Sequence, residues 1–278
     1  MEYSPHHSPS AAAPPPIRRS GLTTTALRQA LTDSRIETLY QPVVRMSDRL
    51  PVGIEALARL DDPERGRMAP DRFVPSMERA GLAWPLTQAV LARAFADWRG
   101  DRLRALGLTL AVNIPLDVLL LPSSLAELDA ARRAARIPAS RLLLELTESR
   151  PIERVEELAG AVRRLRRAGY GLAIDDVGPD VRDHSALLAL PFTALKLDRD
   201  VVRRAGREQV ARAFVMSAIT AARQAGFTII AEGVADAASW QRMRRLGVEQ
   251  AQGFLVARPM PAAAIAGWIE RWSARDTG

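Results

Sequence analysis

A chain of 278 residues, 47% of them hydrophobic, is long enough to bury one barrel-sized core or two small ones. The absence of cysteine excludes disulfides, thiolate nucleophiles and Cys-rich zinc sites, and three histidines, two of them His6 and His7, leave few parts for histidine chemistry. The net charge of +7 is carried by arginine spread over nearly every amphipathic stretch, not gathered into the stripe that DNA or RNA would need.

In chain order, residues 1–20 are rich in Pro, Ala and Ser and read as a disordered tail, leaving 21–278 as one domain. Apolar runs rich in Val, Ile and Leu then alternate with helical stretches. Strands are expected at Thr38–Val44, Val52–Ala58, Thr109–Ile114, Leu142–Thr147, Leu172–Asp175, Ala194–Leu197, Thr228–Ala231 and Ala251–Phe254. The clearest unit begins at Leu142–Thr147. A helix opened by Pro151 follows, with Val155, Leu158, Ala159, Val162 and Leu165 on one face, and Gly169 closes it before the next strand. Eight such strands imply an α/β fold, a single (β/α)8, TIM-like barrel with its site at the carboxyl ends of the strands. Met46 to Leu50 is too short for a helical crossover, so the first pair is expected to be antiparallel and the barrel irregular. No apolar run reaches the roughly 18 residues that span a bilayer, and no secretory stretch opens the chain, so the expected location is the cytoplasm, with no membrane partner.

The strand ends carry polar groups that a core would not choose: Glu55, Asn113, Glu145, Asp175, Asp176, Lys196, Glu232 and Gln252. From Asn113 to Glu145 is 32 residues, from Glu145 to Asp175 is 30, and from Lys196 to Glu232 is 36, each close to one strand–helix repeat. Carboxylates with an amide oxygen form a hard donor set suited to Mg²⁺ or Mn²⁺. Two such ions about 4 Å apart would clamp a phosphodiester and activate water. Asp175 and Asp176 are adjacent, and side chains alternate along a strand, so the strand must end between them if both serve one site. Lys196 is the only lysine among 39 basic residues. A Schiff-base role suits a lone strand-end lysine, but so many carboxylates nearby should keep it protonated.

These residues also carry a resemblance. Tyr40-Gln41-Pro42, Glu55-Ala56-Leu57 with Arg59, Val112-Asn113, Glu145-Leu146-Thr147-Glu148, Asp175-Asp176, Lys196-Leu197-Asp198, Ala231-Glu232-Gly233-Val234 and Gln252-Gly253-Phe254 resemble, in order, the motifs of the EAL domain phosphodiesterases, which cleave cyclic di-GMP to linear pGpG. The resemblance implies Glu55, Asn113, Glu145, Asp175, Asp176 and Glu232 as ligands of a two-metal site holding Mg²⁺ or Mn²⁺. It implies Lys196, Glu55 and Gln252 as catalytic residues, with Lys196 holding the attacking water or acting as base. It further implies Gln41, Arg59 and Asp198 as contacts to cyclic di-GMP, and Glu148 as anchor of the loop after the aspartate pair. That loop, which in the family couples metal, ligand and homodimer contacts, reads Val177 to Asp183 here in place of Phe-Gly-Thr-Gly-Tyr-Ser-Ser. Such a change makes a weakly active or inactive cyclic di-GMP receptor the alternative expectation. The tryptophans Trp84, Trp98, Trp240, Trp268 and Trp272 fall in helical stretches and are expected to pack rather than stack on guanine.

Overall fold

A computed structural model describes residues 22–274 except 101, 122, 148–154 and 179–188. The expected tail at 1–20, Pro151, Glu148 and nearly all of the altered loop lie outside the described residues.

The chain enters through helix α1 (Thr24–Thr32), whose N-terminus is capped by Thr23 accepting from the Ala26 N–H. Strand β1 (Ile36–Arg45) turns at residues 46–50 into β2 (Pro51–Asp62), and the two pair antiparallel with Gln41 directly opposite Glu55. A short β3 (Gly66–Met68) folds back on the far end of β2. The helices α2 (Val74–Arg79), α3 (Ala83–Arg99) and α4 (Arg102–Ala105) lead to β4 (Thr109–Pro115). Next come α5 (Leu116–Leu119), α6 (Ser124–Ala134), β5 (Leu142–Thr147), α7 (Val155–Arg167), β6 (Gly171–Val177) and β7 (Ala194–Leu197). The chain finishes with α8 (Arg199–Arg204), α9 (Gln209–Ala225), β8 (Thr228–Ala231), α10 (Ala237–Leu246), β9 (Gln250–Ala251) and α11 (Ala262–Ser273).

The sheet runs β1-β9-β8-β7-β6-β5-β4-β2 and closes on itself through the β1–β2 pair, with β3 hanging from β2. It is a closed barrel of eight staves. β1 is antiparallel to both its neighbours, and every other barrel pair is parallel, as the short first connection demands. Two expectations are corrected. The last strand covers only Gln250–Ala251, because Gln252–Phe254 leave the ladder, and β2 runs past Ala58 to Asp62, so Glu55 sits within a strand rather than at its end.

Period-two alternation explains where the core and the polar groups go. On β5, Leu142, Leu144 and Leu146 pack outward in the main core, whereas Leu143 and Glu145 face the barrel axis. Val43, Ala173, Ala194 and Ile230 form a separate small cluster with Leu143 and Val52, which plugs the barrel. Two residues beyond each of Leu143, Ala173, Ala194 and Ile230 in sequence come Glu145, Asp175, Lys196 and Glu232. The same alternation that fills the barrel with small apolar groups therefore stacks a polar layer on top of them. On α7, Leu158, Ala159, Val162 and Leu165 are buried as the helical spacing requires. No helix among the described residues is long and apolar enough to cross a membrane.

Candidate active site

The polar layer is organised around one ammonium. Lys196 Nζ lies 2.6 Å from Glu232, 2.9 Å from Glu145, 3.0 Å from Asp175 and 3.7 Å from Glu55, and its side chain is 1% exposed. Burial alone would lower the lysine pKa, but the carboxylates of Asp175, Glu145, Glu232 and Glu55 hold it well above its ordinary value, so it stays protonated. The Schiff-base role that needs a neutral amine is thereby disfavoured.

The carboxylates outnumber it. Glu55, Glu145, Asp175, Asp176 and Glu232 carry a formal charge of −5 against the +1 of Lys196. The imbalance shows in their protonation. Burial and the Glu55 charge push Glu145 well above the carboxylate range, although Lys196 opposes them. Burial raises Glu232 to about 8 against the pull of Lys196, with Asp175 adding to the rise. Burial and the Asp175 charge raise Asp176 to about 6. Glu55 goes the other way. Burial would raise it, but Lys196 and the amide donors of Gln252 and Asn113 hold it below its ordinary value.

The aspartate pair reaches one site by a route the sequence did not suggest. β6 does not end between Asp175 and Asp176; it continues to Val177, and its pairing with β7 slips between Ile174 and Val177. Asp176 takes a left-handed conformation, φ +51°, that L-residues other than Asn and Asp rarely adopt, and its N–H donates to Asp175 Oδ1 at 3.0 Å. The resulting bulge returns the Asp176 side chain to the face of Asp175. Oxygens of Asp175, Asp176 and Glu232 all lie within 4.8 Å of one another, with Asp175 buried and Asp176 exposed at the mouth.

Asn113 sits beside Glu145 in register and donates Nδ2 to Glu55 Oε1 at 2.8 Å, which turns its NH₂ inward and leaves its carbonyl oxygen without a partner among the described residues. Gln252 donates Nε2 to Glu55 Oε2 at 2.6 Å and to Gln41 Oε1 at 3.1 Å, and Gln41 in turn donates to the Ala257 carbonyl at 2.9 Å. Arg59 is half-buried on β2 and donates to the Ala58 carbonyl; burial and the nearby Arg67 lower its pKa. Asp198 lies just outside β7 and caps α8 by accepting from the Asp200 and Val201 N–H groups. It remains close enough to the cluster to help raise Asp176. Glu148 lies outside the described residues.

This hard oxygen set, with charge that one ammonium cannot neutralise, fits divalent cations. Two of them would bring four positive charges, matching the net −4 that remains after Lys196. The EAL domain family model matches residues 24–259. The chain belongs to the EAL domain family. Its relatives include the cyclic di-GMP phosphodiesterase PA2567 of Pseudomonas aeruginosa, 32% identical over 248 residues covering 89% of this chain and 42% of the relative. Another is the cyclic di-GMP phosphodiesterase PdeR of Escherichia coli, 31% identical over 254 residues, 90% of this chain and 38% of the relative. The chain thus spans about two-fifths of the length of these EAL proteins. Among solved structures, the PaMucR phosphodiesterase in complex with c-di-GMP superposes with a TM-score of 0.79 at 31% identity, covering 87% of this chain and 98% of that one.

Within this EAL barrel the expected residues Glu55, Asn113, Glu145, Asp175, Asp176, Lys196, Glu232, Gln252 and Gln41 converge on the barrel axis. The Ala257 carbonyl, which no side-chain pattern signals, joins them through Gln41. Trp98, Trp240, Trp268 and Trp272 are buried, and Trp84 is half-buried against the core. Trp240, Trp268 and Trp272 also border two flank cavities of about 450 and 490 Å³ that share no lining residue with the carboxylate cluster.

Proposed function

We propose that this EAL domain hydrolyses cyclic di-GMP to linear pGpG with the help of Mg²⁺ or Mn²⁺. The observation that carries the reading is the set of five carboxylates around one buried ammonium at the open end of the barrel. The names of the relatives supply the substrate.

Glu55, Asn113, Glu145, Asp175, Asp176 and Glu232 would hold the cations. Bound there, they would polarise the phosphodiester and acidify a water. Lys196, held in its protonated form, directs its three N–H groups at Glu232, Glu145 and Asp175, and one of the three would be released to donate to a water where those carboxylates bind cations. Glu55 is kept ionised by Lys196, Gln252 and Asn113, so it presents a fixed charge rather than a shuttling proton. The apolar plug of Val43, Ala173, Ala194 and Ile230 beneath the layer excludes water from below and strengthens each of these interactions. Arg59, half-buried on β2, would supply the cation for a phosphate oxygen, and Asp198, just past β7, would be a second contact to the dinucleotide. In the reaction the water oxygen bonds to phosphorus as the P–O3′ bond breaks, and the departing oxygen takes a proton. One ring opening leaves a terminal 5′-phosphate and a free 3′-hydroxyl, which is pGpG.

The test is nucleotide chromatography after incubation of purified protein with cyclic di-GMP and each metal, beside a Glu55→Ala control. The expected product is pGpG from the wild type alone. Unchanged cyclic di-GMP with both metals supplied overturns the reading.

A further inference from the structure

The amide chain that ends on Glu55 has a polarity set by charge. A carboxylate only accepts, so the Gln252 group that faces it at 2.6 Å must be the NH₂. The second hydrogen of that NH₂ then meets Gln41 3.1 Å away, so Gln41 must turn its oxygen inward and its own NH₂ toward the Ala257 carbonyl at 2.9 Å. Reversing Gln252 would set its oxygen against those of Glu55 and Gln41, and reversing Gln41 would set its NH₂ against the Gln252 NH₂ and its oxygen against the Ala257 carbonyl. All members are sequestered: Gln41 is 8% exposed, Gln252 4% and Glu55 5%.

The backbone holds both ends of the chain. Gln41 lies directly across the β1–β2 ladder from Glu55. The segment after Gln252 is pinned by backbone bonds from Val234 to Gln252, from Leu255 to Val234, and in both directions between Tyr40 and Met260. Its close approach requires Gly253, where a Cβ would stand 2.3 Å from the Val234 backbone. The Ala257 carbonyl is therefore a fixed acceptor, and Gln252 keeps one buried oxygen, Oε1, with no partner among the described residues.

We propose that Gln41 is a positioning residue for Glu55, acting through Gln252, and not primarily a contact to the nucleotide. Its amide oxygen and one amide hydrogen are committed within the protein before any ligand arrives. The chain Ala257–Gln41–Gln252 fixes the rotation of the Glu55 carboxylate and aims its oxygens at the cation site. The inference rests on the metal-ligand role proposed above for Glu55. Groups that orient a ligand from outside the coordination sphere commonly change metal affinity by about 10- to 100-fold when removed.

The test is calorimetric titration of metal-stripped protein with Mn²⁺ alone, with no nucleotide present. Gln41→Met should weaken Mn²⁺ binding by about 10-fold, and Gln252→Met by at least as much. The double variant should be no weaker than Gln252→Met, since the two act in one chain. Should Gln41→Met not fold, Gln41→Asn keeps the amide but withdraws it by one methylene and carries the same expectation. In turnover of cyclic di-GMP, both single variants should lower kcat with KM little changed. Wild-type Mn²⁺ affinity in folded Gln41→Met, or effects of the two variants that add, overturns the proposal. A wild type that binds Mn²⁺ but yields no pGpG would refute the phosphodiesterase reading and leave the Mn²⁺ comparison intact.

Discussion

Replacing Lys196 with methionine keeps most of the side chain's volume and removes the only ammonium in the polar layer. Four carboxylates, those of Glu232, Glu145, Asp175 and Glu55, lose a partner between 2.6 and 3.7 Å away. Removing one partner of a buried ion pair costs about 3–5 kcal/mol, because the other charge stays buried and unpaired. Against a typical total stability of about 5–15 kcal/mol, that would leave the metal-free protein marginal. The carboxyls can escape by taking up protons, and they do so more readily without Lys196, so the loss should grow with pH. Urea unfolding followed by circular dichroism, in chelator, should show a deficit of about 3–5 kcal/mol at pH 8 and a clearly smaller one at pH 5.5. Saturating Mn²⁺ should recover part of the deficit by supplying positive charge. A deficit below about 1 kcal/mol, or one equal at both pH values, would refute the view that Lys196 neutralises a repulsive cluster.

Three further outcomes follow from the same geometry. Asp176→Gly relieves the left-handed strain at φ +51° and should stabilise the metal-free protein by about 1 kcal/mol while weakening Mn²⁺ binding, read by thermal melts and calorimetry. Glu232 and Asp176 have folded-state pKa values of about 8 and about 6, above the ordinary 4.5 and 3.8, so the folded state holds protons that the unfolded chain has released. The stability of the metal-free protein should therefore fall as pH rises from about 4 through 8, and the rise in Tm caused by Mn²⁺ should be larger at pH 8.5 than at pH 5.5; a pH-independent shift would contradict the assigned groups. Gly253→Ala would force a Cβ to within 2.3 Å of the Val234 backbone, so a lowered Tm and weaker Mn²⁺ binding are expected, and an unchanged melt would show that the segment can move aside.

Strand order and the polar layer were legible because both follow simple periods. The spacing from Asn113 through Glu145 to Asp175, and from Lys196 to Glu232, tracks the strand–helix repeat, and alternation puts each on the axis two residues past an apolar one. The five-residue link at 46–50 dictated an antiparallel first pair because no helix fits in it. The Asp175–Asp176 pair was read correctly as a problem of direction and wrongly as a strand end. A bulge through a left-handed aspartate solves it, and such a conformation is a tertiary choice that aspartate tolerates without announcing. The β3 hairpin was missed because Gly66–Met68 is too short to show alternation. Ala257 was out of reach for a different reason. Its contribution is a backbone carbonyl, placed by the path of residues 252–260 rather than by its side chain.

We propose that the cluster around Lys196 hydrolyses a cyclic dinucleotide only when divalent cations complete its charge. Stripping the protein of metal and adding Mn²⁺ back in steps, while following cyclic di-GMP and pGpG by chromatography, tests it most directly. No pGpG is expected in chelator, with formation that rises with Mn²⁺ to saturation. Equal turnover in chelator, or none at saturating Mn²⁺, would contradict the proposal.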